Sequence, residues 1–208
     1  MQSREEKKRQ TRKSLMDAAL TLTGGGDNFA SISLREVAKN AGVVPTSFYR
    51  HFTGMEELGL NIVDDLGMML RKLMRATRQD GDYLQNLARS SIEVYADFVC
   101  RHKNYFYFMA QCRTGGTLVL RSAIRNELKY FANELTSDIR PLTMLSRVDN
   151  ADLDMISQHI VESVFENTID LLDQMDASPD YRDAFVDQTL KKLRLILLGA
   201  STWQSKKS

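Results

Sequence analysis

The sequence predicts an all-α protein, a three-helix N-terminal module followed by a larger helical body. Three observations carry that prediction. Apolar residues recur at three- and four-residue spacing through most of the 208 residues, and the gaps between these runs hold Gly, Pro, Asp, Asn or Ser. With only three prolines and no run of alternating β-branched residues, nothing has the signature of a sheet.

The first helix is expected over residues 4–22, with Leu15, Ala18, Ala19 and Leu22 as its buried stripe, and Gly24-Gly25-Gly26-Asp27 breaks it. Ser33 and Glu36 have the spacing of a capping box, so a second helix starts there. Its inner face is Leu34, Val37, Ala38 and Ala41. Gly42 then supplies the left-handed residue that a helix C-terminus favours. Pro45 suits the first turn of a third helix, where its missing N–H costs nothing. In that helix Val44, Phe48 and Phe52 are expected on the buried side, with Thr46, Ser47 and Arg50 facing out.

Thr53-Gly54 closes this module, and a long helix over 55–78 leads out of it. The domain boundary is therefore placed at 54/55, giving residues 1–54 and 55–208. Asp80-Gly81-Asp82 breaks the long helix, and Asp82 caps the next, which runs to 103. A short helix over 104–111 ends near Gly115-Gly116; Phe106, Phe108 and Met109 are not expected all to point one way on it. Thr117 caps a helix carrying Leu118, Ile124, Leu128, Phe131 and Leu135, which fades before Pro141. Asn150-Ala151-Asp152 opens a helix to 174, and Ser178-Pro179 opens the last, to 203.

The last two helices are apolar over more than one face. Ile156, Ile160 and Val164 form one line, Val161, Phe165 and Ile169 another, and Leu190, Leu193, Ile196, Leu197 and Ala200 cover a wide arc. A helix apolar on two faces packs on two sides. The simplest arrangement is a homodimer joined through an intermolecular four-helix bundle; burial within a monomer core is the competing one.

Charge separates the two ends. Residues 1–52 hold nine Lys/Arg and five Asp/Glu, a net +4, and the rest hold nineteen and twenty-two, a net −3. A basic end built as a helix-turn-helix points to double-stranded DNA as its partner. Thr46 and Ser47 are short enough to let the backbone approach base edges, and Arg50 and Arg35 reach guanine edges or phosphates. Pro45 opens the same reading helix, and Tyr49 and His51 flank its face at phosphate-contacting positions. The competing reading for Tyr49 is packing against the first helix. Arg4, Lys8 and Arg12, with Lys7, Arg9 and Lys13, form a basic arm for phosphates or the minor groove. A single module contacts few base pairs, which again favours a dimer on a palindromic operator.

The middle of the chain is rich in aromatics. Val94, Phe98, Phe106, Met109, Phe131 and Phe165 are candidates for the wall of an apolar effector cavity, with ordinary core packing the competing reading for most of the aromatics. No enzyme signature accompanies them. His51, His102 and His159 have no metal-ligand spacing, and Cys100 and Cys112 have no CxxC spacing. Gly24-Gly25-Gly26 follows no strand and precedes no Lys-Ser/Thr. Neither catalysis, nor a metal, nor a cofactor is therefore expected. The charged N-terminus shows no secretory signal and no apolar run reaches the roughly 17–25 residues of a spanning helix, so a cytoplasmic protein without membrane contact is expected.

The stretch SLREVAKNAGVVPTSFYRHF, followed by Glu56-Glu57-Leu58, resembles the TetR family of one-component repressors. Ala38, Ala41-Gly42-Val43 and Phe48-Tyr49-Arg50-His51-Phe52 carry the match. Val44 departs from the family's capping Ser or Thr, and Thr46 from its usual Gly. The string Pro45–Phe52 with Glu57-Leu58-Gly59-Leu60 is similar to the FabR/DesT branch, which controls bacterial unsaturated fatty acid genes. The likeness continues through Met69–Arg75 and Arg113–Thr117. It implies a repressor whose effector is long-chain acyl-CoA, with Arg113, Arg121 or Arg125 near the anionic head group; a solvated surface charge is the competing reading for each. It also implies that unsaturated acyl thioesters favour DNA binding and saturated ones oppose it. An efflux-gene repressor sensing drug-like hydrophobic molecules is the alternative.

Overall fold

The computed structural model describes residues 3–79, 84–175 and 180–205, and among them every regular element is helical. The helices are α1 (Arg4–Gly24), α2 (Leu34–Asn40), α3 (Pro45–Phe48), α4 (Met55–Gln79) and α5 (Leu84–Arg101), followed by α6 (Lys103–Gly115), α7 (Leu118–Ile139), α8 (Asn150–Met175) and α9 (Tyr181–Thr202). A 3₁₀ turn, Thr143–Leu145, links α7 to α8. The expected break at Asp80-Gly81-Asp82 and the expected start at Ser178-Pro179 lie outside the described residues.

The chain forms two compact units. Unit 1 is Met1–Met69 with His102–Arg125; unit 2 is Leu70–Arg101 with Asn126–Ser208. Helices α4 and α7 each contribute residues to both.

In unit 1 the caps set the element ends. Ser33 and Glu36 form the expected capping box, with each side chain taking the other residue's backbone N–H. Ser3 and Glu6 do the same at α1. Both α1 and α2 end in a Schellman motif on a left-handed glycine. Gly42 has φ 68°, with Val43 N–H bonded to the Ala38 carbonyl and Gly42 N–H to that of Lys39. Gly26, at φ 106°, is followed by the equivalent pair, Asp27 to Leu22 and Gly26 to Thr23. These bonds satisfy carbonyls that a helix end leaves open, and they fix the angle at which the chain departs.

The core of unit 1 is built on Leu15 and Ala19 of α1, Val37 and Ala38 of α2, Phe48 and Phe52, and Leu58 and Ile62 of α4, all at most 2% exposed. Helix α6 packs into the same core. Phe106, Phe108 and Met109 are all buried, contrary to the expectation for a short helix, because α6 is longer than expected and enclosed over a wide arc. Phe108 meets the edge of Phe29 at 4.8 Å between ring centroids, and Gln111 accepts the Phe29 N–H. Tyr105 donates to Asp65 of α4 at 2.5 Å.

Unit 2 is organised around Ile139, Leu145, Val148, Leu153, Ile156, Ile160 and Ala200. Leu145 and Val148 come from the α7–α8 connection, so this loop supplies core. Helix α9 lies along α5, where Arg182 donates to Asp97 at 2.6 Å and Arg89 to Asp187 at 2.9 Å. The chain after α9 folds back on the start of α8. Ser205 Oγ accepts the Asp149 N–H and donates to Asp152, which also accepts the Trp203 indole N–H at 2.7 Å. Asp149 itself caps α8 by accepting the Asp152 N–H. A serine from the chain's far end thus completes the α8 capping box.

Candidate nucleic-acid interface

The α2–α3 pair in unit 1 presents the side chains that the sequence singled out. Pro45, Thr46, Arg50 and Arg35 are exposed, Ser47 is half-buried at the rim, and Tyr49 is 62% exposed. Tyr49 does not pack into the core; its ring and that of Phe48 meet edge to face, 5.9 Å between centroids. Val44 corrects the expected buried side. It is the N-cap of α3, lies outside the helix proper and is 65% exposed. Phe48 and Phe52 anchor this segment inward. The α-helical part of α3 covers Pro45–Phe48, shorter than expected. Backbone bonds from Arg50 to Ser47, His51 to Phe48 and Phe52 to Phe48 continue the coil for another turn.

Beside it lies an open cleft of about 360 Å³ lined by Glu5, Lys8, Arg9 and Arg12 of α1 with Arg50 and His51. Four permanent cations against one carboxylate leave the cleft strongly positive. Arg4 and Lys8 are exposed, whereas Arg12 is half-buried and turned inward. Partial burial, followed by Lys8, Arg12 and Arg50, holds the His51 imidazole below its ordinary value. Its Nδ1 is buried without a hydrogen-bond partner.

The effector candidates fall in both units. Phe98 and Phe165 are buried in unit 2, with Val94 and Phe131 half-buried there, while Phe106 and Met109 belong to the core of unit 1. Sequence reasoning missed a polar pair among the unit 2 candidates: Tyr95 and Thr168 share a 2.8 Å hydrogen bond, one turn from Phe98 and Phe165 on their own helices. Desolvation raises the Tyr95 pKa, so its phenol stays neutral. Of the arginines considered for a head group, Arg121 donates to the Gly116 carbonyl and Arg125 to Ser122, each at 2.9 Å. Burial pushes the Cys112 thiol up to about 12, which removes it as a nucleophile at neutral pH. No described helix is long and apolar enough to cross a membrane.

A capped helix, a left-handed glycine turn and an exposed face of short side chains beside a basic cleft define a helix-turn-helix DNA-binding module. Residues 15–61 match the profile of "Bacterial regulatory proteins, tetR family", so the N-terminal module is of tetR type. Over most of the chain the fold is similar to that of solved regulators. The fatty acid degradation regulator FadR from Bacillus halodurans aligns over 88% of this chain and 93% of its own, at 14% identity and TM-score 0.70. FadR from Bacillus subtilis, solved in complex with stearoyl-CoA, aligns over 87% and 96%, at 17% identity and TM-score 0.69. Thermus thermophilus FadR, a TetR family transcriptional repressor solved with lauroyl-CoA, aligns over 95% and 98%, at 19% identity and TM-score 0.60. At these identities the likeness establishes the fold.

Proposed function

We propose that this chain is a dimeric, ligand-responsive transcriptional repressor that binds a palindromic operator and senses long-chain acyl-CoA to control unsaturated fatty acid synthesis or desaturation. The observation that carries the DNA half is the face of exposed Thr46 and Arg50 with Ser47 at its rim, behind the Gly42 turn and beside the basic cleft. In this reading Pro45 opens the reading helix, Thr46 and Ser47 meet base edges, and Arg50 and Arg35 meet guanine edges or phosphates. Tyr49, His51, Arg4 and Lys8 meet phosphates. Residues 1–54 act as the DNA-reading part and 55–208 as the effector and dimerisation part.

Dimerisation is supported by what one chain leaves uncovered. Leu195 and Leu198, three residues apart on α9, and Met155 of α8 are 73%, 53% and 53% exposed. The acyl-CoA half is supported by the shared fold of regulators solved with stearoyl-CoA and lauroyl-CoA, and by Val94, Phe98, Phe131 and Phe165 in unit 2. An acyl chain favouring one arrangement of the helical body shifts the population of DNA-competent dimers. The spacing of the two recognition helices must match about 34–36 Å, one turn of DNA.

A gel shift with the DNA upstream of the protein's own gene tests both halves. Saturated and unsaturated acyl-CoAs are expected to move the apparent affinity in opposite directions. No retardation removes the DNA reading; retardation that neither thioester alters removes the lipid reading.

A further inference from the structure

One cation of the basic cleft faces inward and touches two other segments of unit 1. The Arg12 guanidinium donates through Nη1 to the His51 carbonyl at 2.8 Å and through Nη2 to the Asn61 side-chain oxygen of α4. Its Cζ also lies 4.4 Å from the centroid of the Phe52 ring. The Asn61 amide is itself oriented, because its Nδ2 donates to the Glu57 carbonyl one turn back in α4 at 2.7 Å, leaving the oxygen for Arg12. Glu57 in turn accepts the Thr53 N–H and hydroxyl, fixing where α4 begins. One planar side chain from α1 thereby joins the last turn of the reading segment to the first turns of α4.

We propose that Arg12 is a positioning residue for base reading, holding the C-terminal end of the recognition segment at a fixed orientation to α1 and α4. Arginine suits this task because a rigid fork reaches two acceptors while its flat face stacks on an aromatic ring. A lysine has one charged nitrogen and no such face. Lys8, Arg9 and Arg50 share the cleft and are exposed; they are the cations free to meet phosphate. The inference rests on the reading that this module binds DNA, and it differs from that reading in what it predicts for salt. A phosphate contact weakens every sequence alike, and losing it lowers the slope of log affinity against log salt by about one. A positioning residue leaves that slope and the non-specific affinity in place and removes discrimination.

The test uses the full-length protein and two duplexes, one enriched by the wild type from a random-sequence pool and a shuffled control of equal length and composition. Affinities are measured over a salt series for wild type, Arg12→Ala, Arg12→Lys and Asn61→Ala. The expected result is a loss of roughly tenfold or more on the enriched duplex for all three variants, the scale of hydrogen bonds to a charged donor. Shuffled-duplex affinity and salt slope should stay unchanged in Arg12→Lys and Asn61→Ala, which keep the charge. Should Arg12→Ala fail to fold by circular dichroism, Asn61→Ala carries the test, since it leaves every cation in place. Equal weakening on both duplexes with a flattened slope in Arg12→Ala, full rescue by lysine, or wild-type discrimination in Asn61→Ala overturns the proposal. A wild type that enriches no duplex overturns the DNA reading and the inference with it.

Discussion

Substitution of Gly42 isolates the contribution of a single backbone angle. The residue has φ 68°, and a Cβ built there meets no atom within 4 Å, so a side chain brings no clash. Alanine pays only for the left-handed conformation, about 1–2 kcal/mol. It gains back about 0.4–1 kcal/mol by stiffening the unfolded chain. The net expectation for Gly42→Ala is a loss of about 1 kcal/mol, or about 2–4 °C in melting temperature for a chain of this size. Asparagine visits the left-handed region more readily, so Gly42→Asn should lie between glycine and alanine; β-branched Gly42→Val should be worst. Urea unfolding followed by circular dichroism gives the four midpoints. An alanine variant as stable as the wild type, or an asparagine variant less stable than alanine, would refute the reasoning. Specific DNA affinity should fall in the same order, because the two bonds of the Gly42 turn set the direction in which the reading segment leaves α2.

Two further outcomes follow from contacts in each unit. Ser205→Ala removes the hydroxyl that joins the Asp149 N–H to Asp152, and should cost about 1 kcal/mol, the scale of one cap; an unchanged melting temperature would make this tail contact incidental. His51 gives a pH dependence with a definite sign. Its folded pKa is lowered from 6.5, so its contribution to folding is present above 6.5 and lost as pH falls through the folded value. A DNA phosphate in the cleft opposes the effect of Lys8, Arg12 and Arg50, so binding takes up a proton and affinity should rise as pH is lowered from about 8 to about 6. His51→Gln should flatten that rise at constant salt, and an equal rise in both proteins would assign it to another group.

Much of the fold is legible because its boundaries are written in local chemistry. Ser33, Glu36, Gly42 and Thr117 act where the sequence places them, and Thr117 Oγ1 accepts the Leu120 N–H as a cap should. The equivalent Ser3–Glu6 box carries the same S-x-x-E signal and was readable in the same way. Val44 misleads, since helical periodicity assigns a face only to residues inside the helix and this one stands at its cap. The α7–α8 connection was silent because Leu145 and Val148 are buried by tertiary packing, without any periodic pattern. The same holds at the DNA face. Short polar side chains announce themselves by type, but the inward turn of Arg12 depends on Asn61, forty-nine residues away, which no local pattern links to it. The effector candidates were chosen for apolar bulk, and bulk does not distinguish a residue of unit 1 from one of unit 2.

The closure of α8 by residues beyond α9 also gives the molecule an internal optical probe. Trp203 is the only tryptophan in the chain, and its indole N–H is bonded to Asp152, on the first turn of α8. All indole emission therefore originates where the chain after α9 meets the first turn of α8. Titrating protein concentration, operator DNA or an acyl thioester while watching that one emission band would follow events at this end of unit 2 without a dye.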